Sequence, residues 1–213
     1  MKIKWWGHAT FTITTSDGFK IITDPYNEEL PYKIVDDCAD YVTVSHSHFD
    51  HNAVNLLPGN PQTIKDVNGV ENHVIKINGI KSYHDQEEGS ERGENIIFKY
   101  EFDGMRVAHL GDLGHALNDD QLDFLADVDI LLIPVGGYFT IDAEQAYEIV
   151  KELNPKLVFP MHYKTEVLNL PIKGVGRFLE HFSKERVKNI KDSEIEITEL
   201  PEEQTVYVLE YIM

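Results

Sequence analysis

Two apolar runs in the second half of the chain constrain the fold most strongly. They are DILLIPV at 129–135 and KLVFPM at 156–161. Runs this apolar are typical of strands that are buried on both faces of a sheet. Between them, segment 142–154 repeats apolar residues at helical spacing, and Asp142 with Gln145 forms a capping-box start. Strand, helix and strand in this order favour an α/β fold with parallel strands.

The remaining chain adds strands before and after this unit. Short β-branched or aromatic segments predict strands at 2–6, 10–15, 19–23, 41–45, 73–77, 96–102, 105–110, 194–200 and 204–211. Helical spacing predicts two more helices, at 118–128 and 175–186. No linker or repeat divides the chain. We therefore expect a single layered α/β domain with mixed sheets, covering residues 1–213.

The composition argues against several classes of function. The chain has 37 acidic and 19 basic residues and a formal net charge of −18, which disfavours binding to nucleic acid. Cys38 is the only cysteine, so an intrachain disulfide is excluded and a thiolate metal site is disfavoured. The first residues lack a signal-peptide apolar core, and no run is long enough for a membrane span. We expect a cytoplasmic protein without a membrane partner.

The segment SHSHFDH at 45–51 predicts a metal site. His46 and His48 directly follow a predicted strand, and residues two apart in extended chain point to the same side. Asp50 and His51 follow after a turn and can face a second ion nearby. Imidazole and carboxylate without sulfur suit zinc, manganese, iron or nickel. A histidine-rich surface loop is the simpler alternative, but four potential ligands in six residues after an apolar strand favour the metal site.

Further candidate ligands stand at the ends of later predicted strands, where loops of layered α/β proteins converge. They are His84, His109, Asp112 and His162. Gly111 and Gly114 flank Asp112, which suits a tight loop in a crowded centre.

These motifs resemble those of the metallo-β-lactamase superfamily. SHSHFDH matches its HxHxDH signature, and the later YHD, GDLG and PMHY stretches resemble its remaining ligand motifs in the same order. GHATF, TDPY, HLGDLG and PVGG resemble a branch of small, uncharacterised metal-dependent hydrolases that is itself similar to L-ascorbate-6-phosphate lactonases. The resemblance covers residues 2 to 165. It implies an αββα sandwich of two mixed β-sheets flanked by helices, with a two-metal site between the sheets.

The resemblance also implies the ligand sets. One ion would be bound by His46, His48 and His84, the other by Asp50, His51 and His162, and Asp112 would bridge both. The stretch SYHDQEEGSERG departs from the usual pattern around the third histidine. His109 is therefore the rival of His84, although its place on a strand favours a supporting role.

The implied activity is hydrolysis of a small ester, lactone or phosphoester by a metal-bridging hydroxide, which Asp50 would orient. The cofactors would be two divalent ions, with zinc the first choice and manganese, iron or nickel as alternatives. The competing hypotheses are a nuclease or phosphodiesterase of the same fold and a non-catalytic metal-binding protein. A small-molecule substrate is expected, and no oligomeric state is predicted.

Four weaker candidates surround this set. Asp24 follows a strand and would orient a ligand histidine. His8 would lie beside Asp24 and contact substrate. Tyr138 follows two glycines that permit close backbone approach, and Tyr163 adjoins His162. Core or rim packing is the alternative for both tyrosines.

Overall fold

The computed structural model describes residues 1–212 and contains two β-sheets and three α-helices. The strands are β1 (Lys2–Gly7), β2 (Thr10–Thr14), β3 (Lys20–Thr23), β4 (Tyr41–Thr43), β5 (Gln62–Ile64), β6 (Val70–Glu71), β7 (Lys76–Tyr83), β8 (Glu94–Phe102), β9 (Met105–His109), β10 (Ile130–Pro134), β11 (Leu157–Met161), β12 (Val187–Ile190), β13 (Glu194–Glu196) and β14 (Thr205–Leu209). The helices are α1 (Asp119–Leu125), α2 (Ala143–Leu153) and α3 (Gly176–Leu179), and 3₁₀ turns occupy Val54–Leu56 and Lys184–Arg186.

Both sheets are mixed. The first has six strands in the order β13-β1-β2-β3-β4-β5, antiparallel up to β3 and parallel from β3 to β5. The second has eight strands in the order β12-β14-β11-β10-β9-β8-β7-β6. Its strands β12, β14, β11, β10 and β9 are parallel, and β8 to β6 continue it antiparallel. The apolar runs that contain β10 and β11 form the parallel centre of this sheet, and all ten residues of the two strands are buried.

The main core lies between the sheets and contains residues of both, such as Ile21 of β3 and Ile97 of β8. Neighbouring residues of one strand face opposite sides, so Ile22 points away into a second apolar cluster. There the irregular segment 25–40 covers the first sheet with Tyr26 and Tyr32. The helical cover belongs to the second sheet, where the apolar stripe of α2 joins the main core.

Two of the three predicted helices are confirmed. The capping box expected at Asp142 begins α2, and a capping box at Asn118 with Gln121 begins α1 in the same way. The helix predicted at 175–186 is wrong in length, because only Gly176–Leu179 is α-helical. Ser183 has extended backbone (φ −65°, ψ 150°), which separates this turn from the 3₁₀ turn that follows. The prediction missed the short strands β5, β6 and β12, which have little apolar alternation.

The loops that leave the carboxyl ends of seven strands carry the predicted site residues, except His109, which is the last residue of β9. The strands are β1, β3 and β4 of the first sheet and β7, β9, β10 and β11 of the second. Within residues 1–212, no helix has the length and apolar character needed to cross a bilayer. The assignment of residues 1–213 to one domain stays a prediction.

Candidate metal centre

The loop after β4 presents the histidine-rich segment at one edge of both sheets. The rings of His46, His48 and His84 lie together, with centroid separations of 4.6, 4.9 and 5.2 Å. Each of these histidines offers a nitrogen within 4.8 Å of the others. We call them the three-histidine group. His84 comes from the end of β7, so the group joins the two sheets.

A second set of candidate ligands lies beside the first. It comprises His8, Asp50, His51 and His162, whose ligand atoms also lie within 4.8 Å of one another. We call it the four-residue group. His8 follows β1, and His162 follows β11. This group therefore also draws on both sheets, and it contains His8 in addition to the three residues that the sequence predicted.

Asp112 stands between the two groups. Its Oδ2 lies 3.1 Å from Nε2 of His84, 3.4 Å from Nε2 of His51 and 3.2 Å from Nε2 of His162. One carboxylate oxygen thus contacts a member of the three-histidine group and two members of the four-residue group. A carboxylate in this position can contact ions bound by either group.

The donor atoms fit divalent metal ions. Two ligand atoms at 2.0–2.1 Å from one tetrahedral zinc lie about 3.3 Å apart, close to the contacts of Asp112 Oδ2. Nε2 of His46, Nε2 of His51 and Oδ1 of Asp112 are buried and have no hydrogen-bond partner within residues 1–212. Unpaired buried polar atoms are unfavourable, and a bound cation would satisfy them.

Asp24 orients two of these histidines through hydrogen bonds, one directly and one through Ser45. Its Oδ2 accepts a hydrogen bond from Nδ1 of His51 at 2.9 Å, which leaves Nε2 facing the site. Ser45 donates to the same carboxylate through its hydroxyl (2.5 Å) and its main-chain N–H (2.7 Å). The Ser45 hydroxyl in turn accepts from Nδ1 of His46 at 2.9 Å. One buried carboxylate therefore orients both rings, and the sequence did not identify Ser45.

The third histidine is held by the main chain. Nδ1 of His84 donates to the carbonyl oxygen of Phe139 at 3.0 Å, and Nε2 faces Asp112. A Cβ on Gly114 would lie 2.3 Å from the main-chain carbon of His84, so the loop after β9 requires glycine there. Phe139 lies 55 residues from His84 in the chain, and no local sequence signal indicates this contact.

His109, the rival of His84, lies away from both groups. Its Nε2 donates to the carbonyl oxygen of Ala9 at 2.8 Å, and its Nδ1 accepts from the N–H of Gly111 at 3.2 Å. Both ring nitrogens are thus engaged by main-chain groups, and the side chain is buried. This geometry favours His84 as the ligand and gives His109 a structural role.

Asp85 organises the loop beside His84. Its two carboxylate oxygens accept four main-chain hydrogen bonds, from the N–H groups of Glu87, Gly89, Glu91 and Arg92 at 2.7–3.0 Å. Against the opposing effect of burial, these bonds lower the pKa of Asp85 to about 2. Segment 87–92 is therefore ordered around a buried carboxylate.

The electrostatics keep the carboxylates ionised. Burial opposes ionisation of Asp112, but the surrounding histidines outweigh it and hold its pKa well below the usual range. Burial and the nearby His51 lower the pKa of His46 to about 3, so this ring is neutral and able to coordinate. Burial also opposes protonation of His51, yet Asp112, Asp24 and Asp50 raise its pKa well above the ordinary value.

Strained backbone is concentrated at these strand ends. His8, Asp24, Tyr138 and His162 adopt left-handed φ values of 52°, 39°, 66° and 50°. Non-glycine residues in this region cost of order 1–3 kcal/mol each, and such strain clusters at functional sites.

Comparison with known proteins agrees with the fold and the motifs. The sequence profile of the beta-lactamase superfamily domain matches residues 2–162, which is most of the chain. This chain belongs to the metallo-β-lactamase superfamily. The two-sheet α/β architecture that the resemblance implied is confirmed by the sheets of the structure, with the difference that segment 25–40 covers the first sheet.

Relatives within the superfamily share most of their length with this chain. A UPF0173 metal-dependent hydrolase of Archaeoglobus fulgidus is 30% identical, over 78% of this chain and 84% of that protein. One of Hyperthermus butylicus is 29% identical, over 84% and 91% respectively. A solved structure from Thermotoga maritima, described as a proposed zinc-dependent hydrolase of this superfamily, has a TM-score of 0.83 and 36% identity, and covers 99% of this chain and 98% of its own. The resemblance to ascorbate-phosphate lactonases stays a prediction.

The four weaker candidates differ in their placement. Asp24 contacts His51 of the four-residue group, as the sequence predicted for an orienting carboxylate. His8 belongs to the four-residue group but has no exposed surface. Direct contact of His8 with substrate is therefore not supported. Tyr138 is 66% exposed beside the loop that holds His84. Tyr163 is buried and packs on Trp5 with ring centroids 5.2 Å apart, so it serves the core.

Proposed function

We propose that this protein is a metal-dependent hydrolase that uses two divalent ions to cleave a small ester, lactone or phosphoester. Its relatives named as metal-dependent hydrolases support the general activity. The observation that carries the two-ion proposal is the position of Asp112, whose Oδ2 contacts histidines of both groups within 3.1–3.4 Å.

The proposed ligands follow from this geometry. His46, His48 and His84 bind one ion, Asp50, His51 and His162 bind the other, and Asp112 is shared. Five imidazoles and two carboxylates without a thiolate suit zinc first, and manganese, iron or nickel as alternatives.

Different residues of the chain would have different roles in catalysis. A pair of bound divalent ions supplies a nucleophilic water at neutral pH and polarises a carbonyl or phosphoryl oxygen. Asp50 is the proposed catalytic residue, because a carboxylate oxygen can accept a hydrogen bond from that water and orient it. Asp24 and Ser45 keep two imidazoles in the coordinating tautomer.

Two exposed aromatic side chains flank the ligand segments and support an organic substrate. Phe49, between His48 and Asp50, is 48% exposed, and Tyr138 is 66% exposed. Exposed aromatic surface beside a polar centre suits the apolar part of a small ester or lactone. The net charge of −18 disfavours a polyanionic substrate, whose binding relies on lysine and arginine contacts to phosphates.

The experiment combines metal analysis with a substrate panel. Protein purified without a histidine tag is analysed for metal, and wild type and Asp112→Ala are tested on lactones, aryl esters, phosphomonoesters, phosphodiesters and short oligonucleotides. We expect two ions per chain, turnover of a small substrate, and loss of both in Asp112→Ala. Full activity with one ion or none would exclude the two-ion mechanism. Oligonucleotide cleavage that exceeds turnover of every small substrate would favour a nuclease.

A further inference from the structure

His8 is fixed in the protein by its main chain. Its carbonyl oxygen accepts hydrogen bonds from Nε1 of Trp5 at 3.1 Å and from the N–H of His162 at 3.0 Å. The residue has no exposed surface and sits in the left-handed region (φ 52°) at the turn between β1 and β2. The backbone of His8 therefore holds His162, one of the proposed ligands of the second ion.

The side chain of His8 contacts another proposed ligand of the same ion. Its Nε2 lies 3.1 Å from Oδ2 of Asp50, which is 42 residues away in the chain. The His8 ring also lies 4.1 Å from the His162 ring and 5.0 Å from the His51 ring, centroid to centroid. His8 thus touches every other member of the four-residue group.

Asp50 depends on this contact more than the other buried carboxylates depend on any single partner. Asp24 accepts hydrogen bonds from Ser45 and His51, and Asp112 has three histidines around one oxygen. For Asp50, the hydrogen bond from His8 is the only one within residues 1–212. The other charged contact of the carboxylate is with Nε2 of His51, at 3.8 Å, which is too long for a hydrogen bond.

We propose that His8 is a positioning residue for the second ion, because its Nε2–H donates to Asp50 Oδ2 and holds the carboxylate in its coordinating orientation. This inference rests on the proposed two-ion function. His8 acts through Asp50 and does not itself bind the ion. Its main-chain bond to His162 is separate, so a side-chain substitution leaves that bond in place.

Two substitutions separate this role from general packing. In His8→Gln, the amide nitrogen reaches about as far as Nε2 of histidine and can donate to Asp50. In His8→Asn, the side chain is too short for that contact, while asparagine tolerates the left-handed backbone well. Circular dichroism and thermal unfolding of both variants verify that the fold is retained.

The measurement is zinc binding by competition with a chromophoric chelator, together with the absorption spectrum of the cobalt-substituted protein. We expect His8→Asn to bind the second zinc about 10- to 100-fold more weakly, as for other residues that orient metal ligands. His8→Gln should keep most of the affinity and leave the cobalt spectrum unchanged, and the first zinc should bind normally in both variants.

Three results would contradict parts of this picture. Unchanged second-zinc affinity in His8→Asn overturns the positioning role. Equal losses in His8→Gln and His8→Asn, with an altered cobalt spectrum in both, overturn it in favour of His8 as a direct ligand. A wild type that binds a single zinc overturns the two-ion function and the His8 inference together.

Discussion

Asp24 and His51 form a buried pair in which Oδ2 of the carboxylate lies 2.9 Å from Nδ1 of the imidazole. Since an ionised carboxylate only accepts hydrogen bonds, Nδ1 donates a hydrogen bond to Asp24, and Nε2 is the ring nitrogen that faces the site. The same carboxylate accepts two bonds from Ser45. Three donors converge on Asp24, and two candidate ligands take their orientation from it.

Replacement of Asp24 by asparagine should weaken metal binding without unfolding the protein. The amide nitrogen cannot accept a hydrogen bond. A single oxygen would then have to accept the three hydrogen bonds that two oxygens accept in the wild type. We expect about 10- to 100-fold lower metal affinity, measured by chelator competition. Asp17→Asn, at an exposed position, is the control and should bind metal as the wild type does. Equal affinities in the two variants would show that Asp24 does not orient the ligands.

We expect His84→Ala to affect mainly the metal content of the protein and His109→Ala to affect mainly its thermal stability. His84→Ala should lower the metal content, because it removes a proposed ligand. His109→Ala leaves the buried N–H of Gly111 without its partner, which costs about 1–3 kcal/mol. The carbonyl oxygen of Ala9 loses one of two hydrogen bonds and keeps the one from the Thr23 hydroxyl. The metal content of this variant should stay near that of the wild type while its unfolding temperature falls. Elemental analysis and calorimetry check both, and the reverse pattern would make His109 the ligand.

The site residues that could be predicted from sequence are those in short motifs at strand ends. His46, His48, Asp50 and His51 are neighbours in the chain, so their clustering needs no tertiary information. Ser45 and Phe139 are different, because their contacts depend on how rings turn and on which loop returns to the site. Asp85 was open to prediction, since an aspartate before a turn-rich segment often accepts main-chain hydrogen bonds.

In the fold, too, elements with a local sequence pattern could be predicted and segments specified by tertiary packing could not. The long apolar runs and the capping boxes predicted the centre of the second sheet and its helix α2. The cover of the first sheet followed no periodic pattern, because segment 25–40 is irregular and contributes separate aromatic and aliphatic side chains. Such a segment is specified by tertiary packing, so periodicity cannot reveal it.

Asp85→Asn should loosen the loop beside His84. Asparagine retains one acceptor oxygen, so two of the four main-chain N–H groups lose their partner. We expect amide exchange in 87–92 to accelerate about tenfold or more, because an unpaired group costs roughly 1–3 kcal/mol. Hydrogen-exchange mass spectrometry checks this. Glu87→Gln, which changes only an exposed side chain in the same loop, should exchange at the wild-type rate.

Removal of metal should lower thermal stability in wild type and much less in Asp112→Ala. A ligand present at 1,000 times its Kd stabilises the native state by about 4 kcal/mol. For a chain of this size, each kcal/mol shifts Tm by about 2–4 °C, so chelation should lower Tm by about 8–16 °C. Differential scanning calorimetry with and without chelator measures the change. A chelator effect of the same size in Asp112→Ala would mean that the stabilising ions bind elsewhere.

The two sheets contribute ligands to both proposed ions, since His84, Asp112 and His162 leave one sheet and His46, His48, Asp50 and His51 leave the other. Each proposed ion would therefore cross-link the two sheets. Bound metal would then oppose separation of the two sheets. Core substitutions that weaken the packing between the sheets, far from any ligand, should then speed metal release, even where the ligands themselves are unchanged.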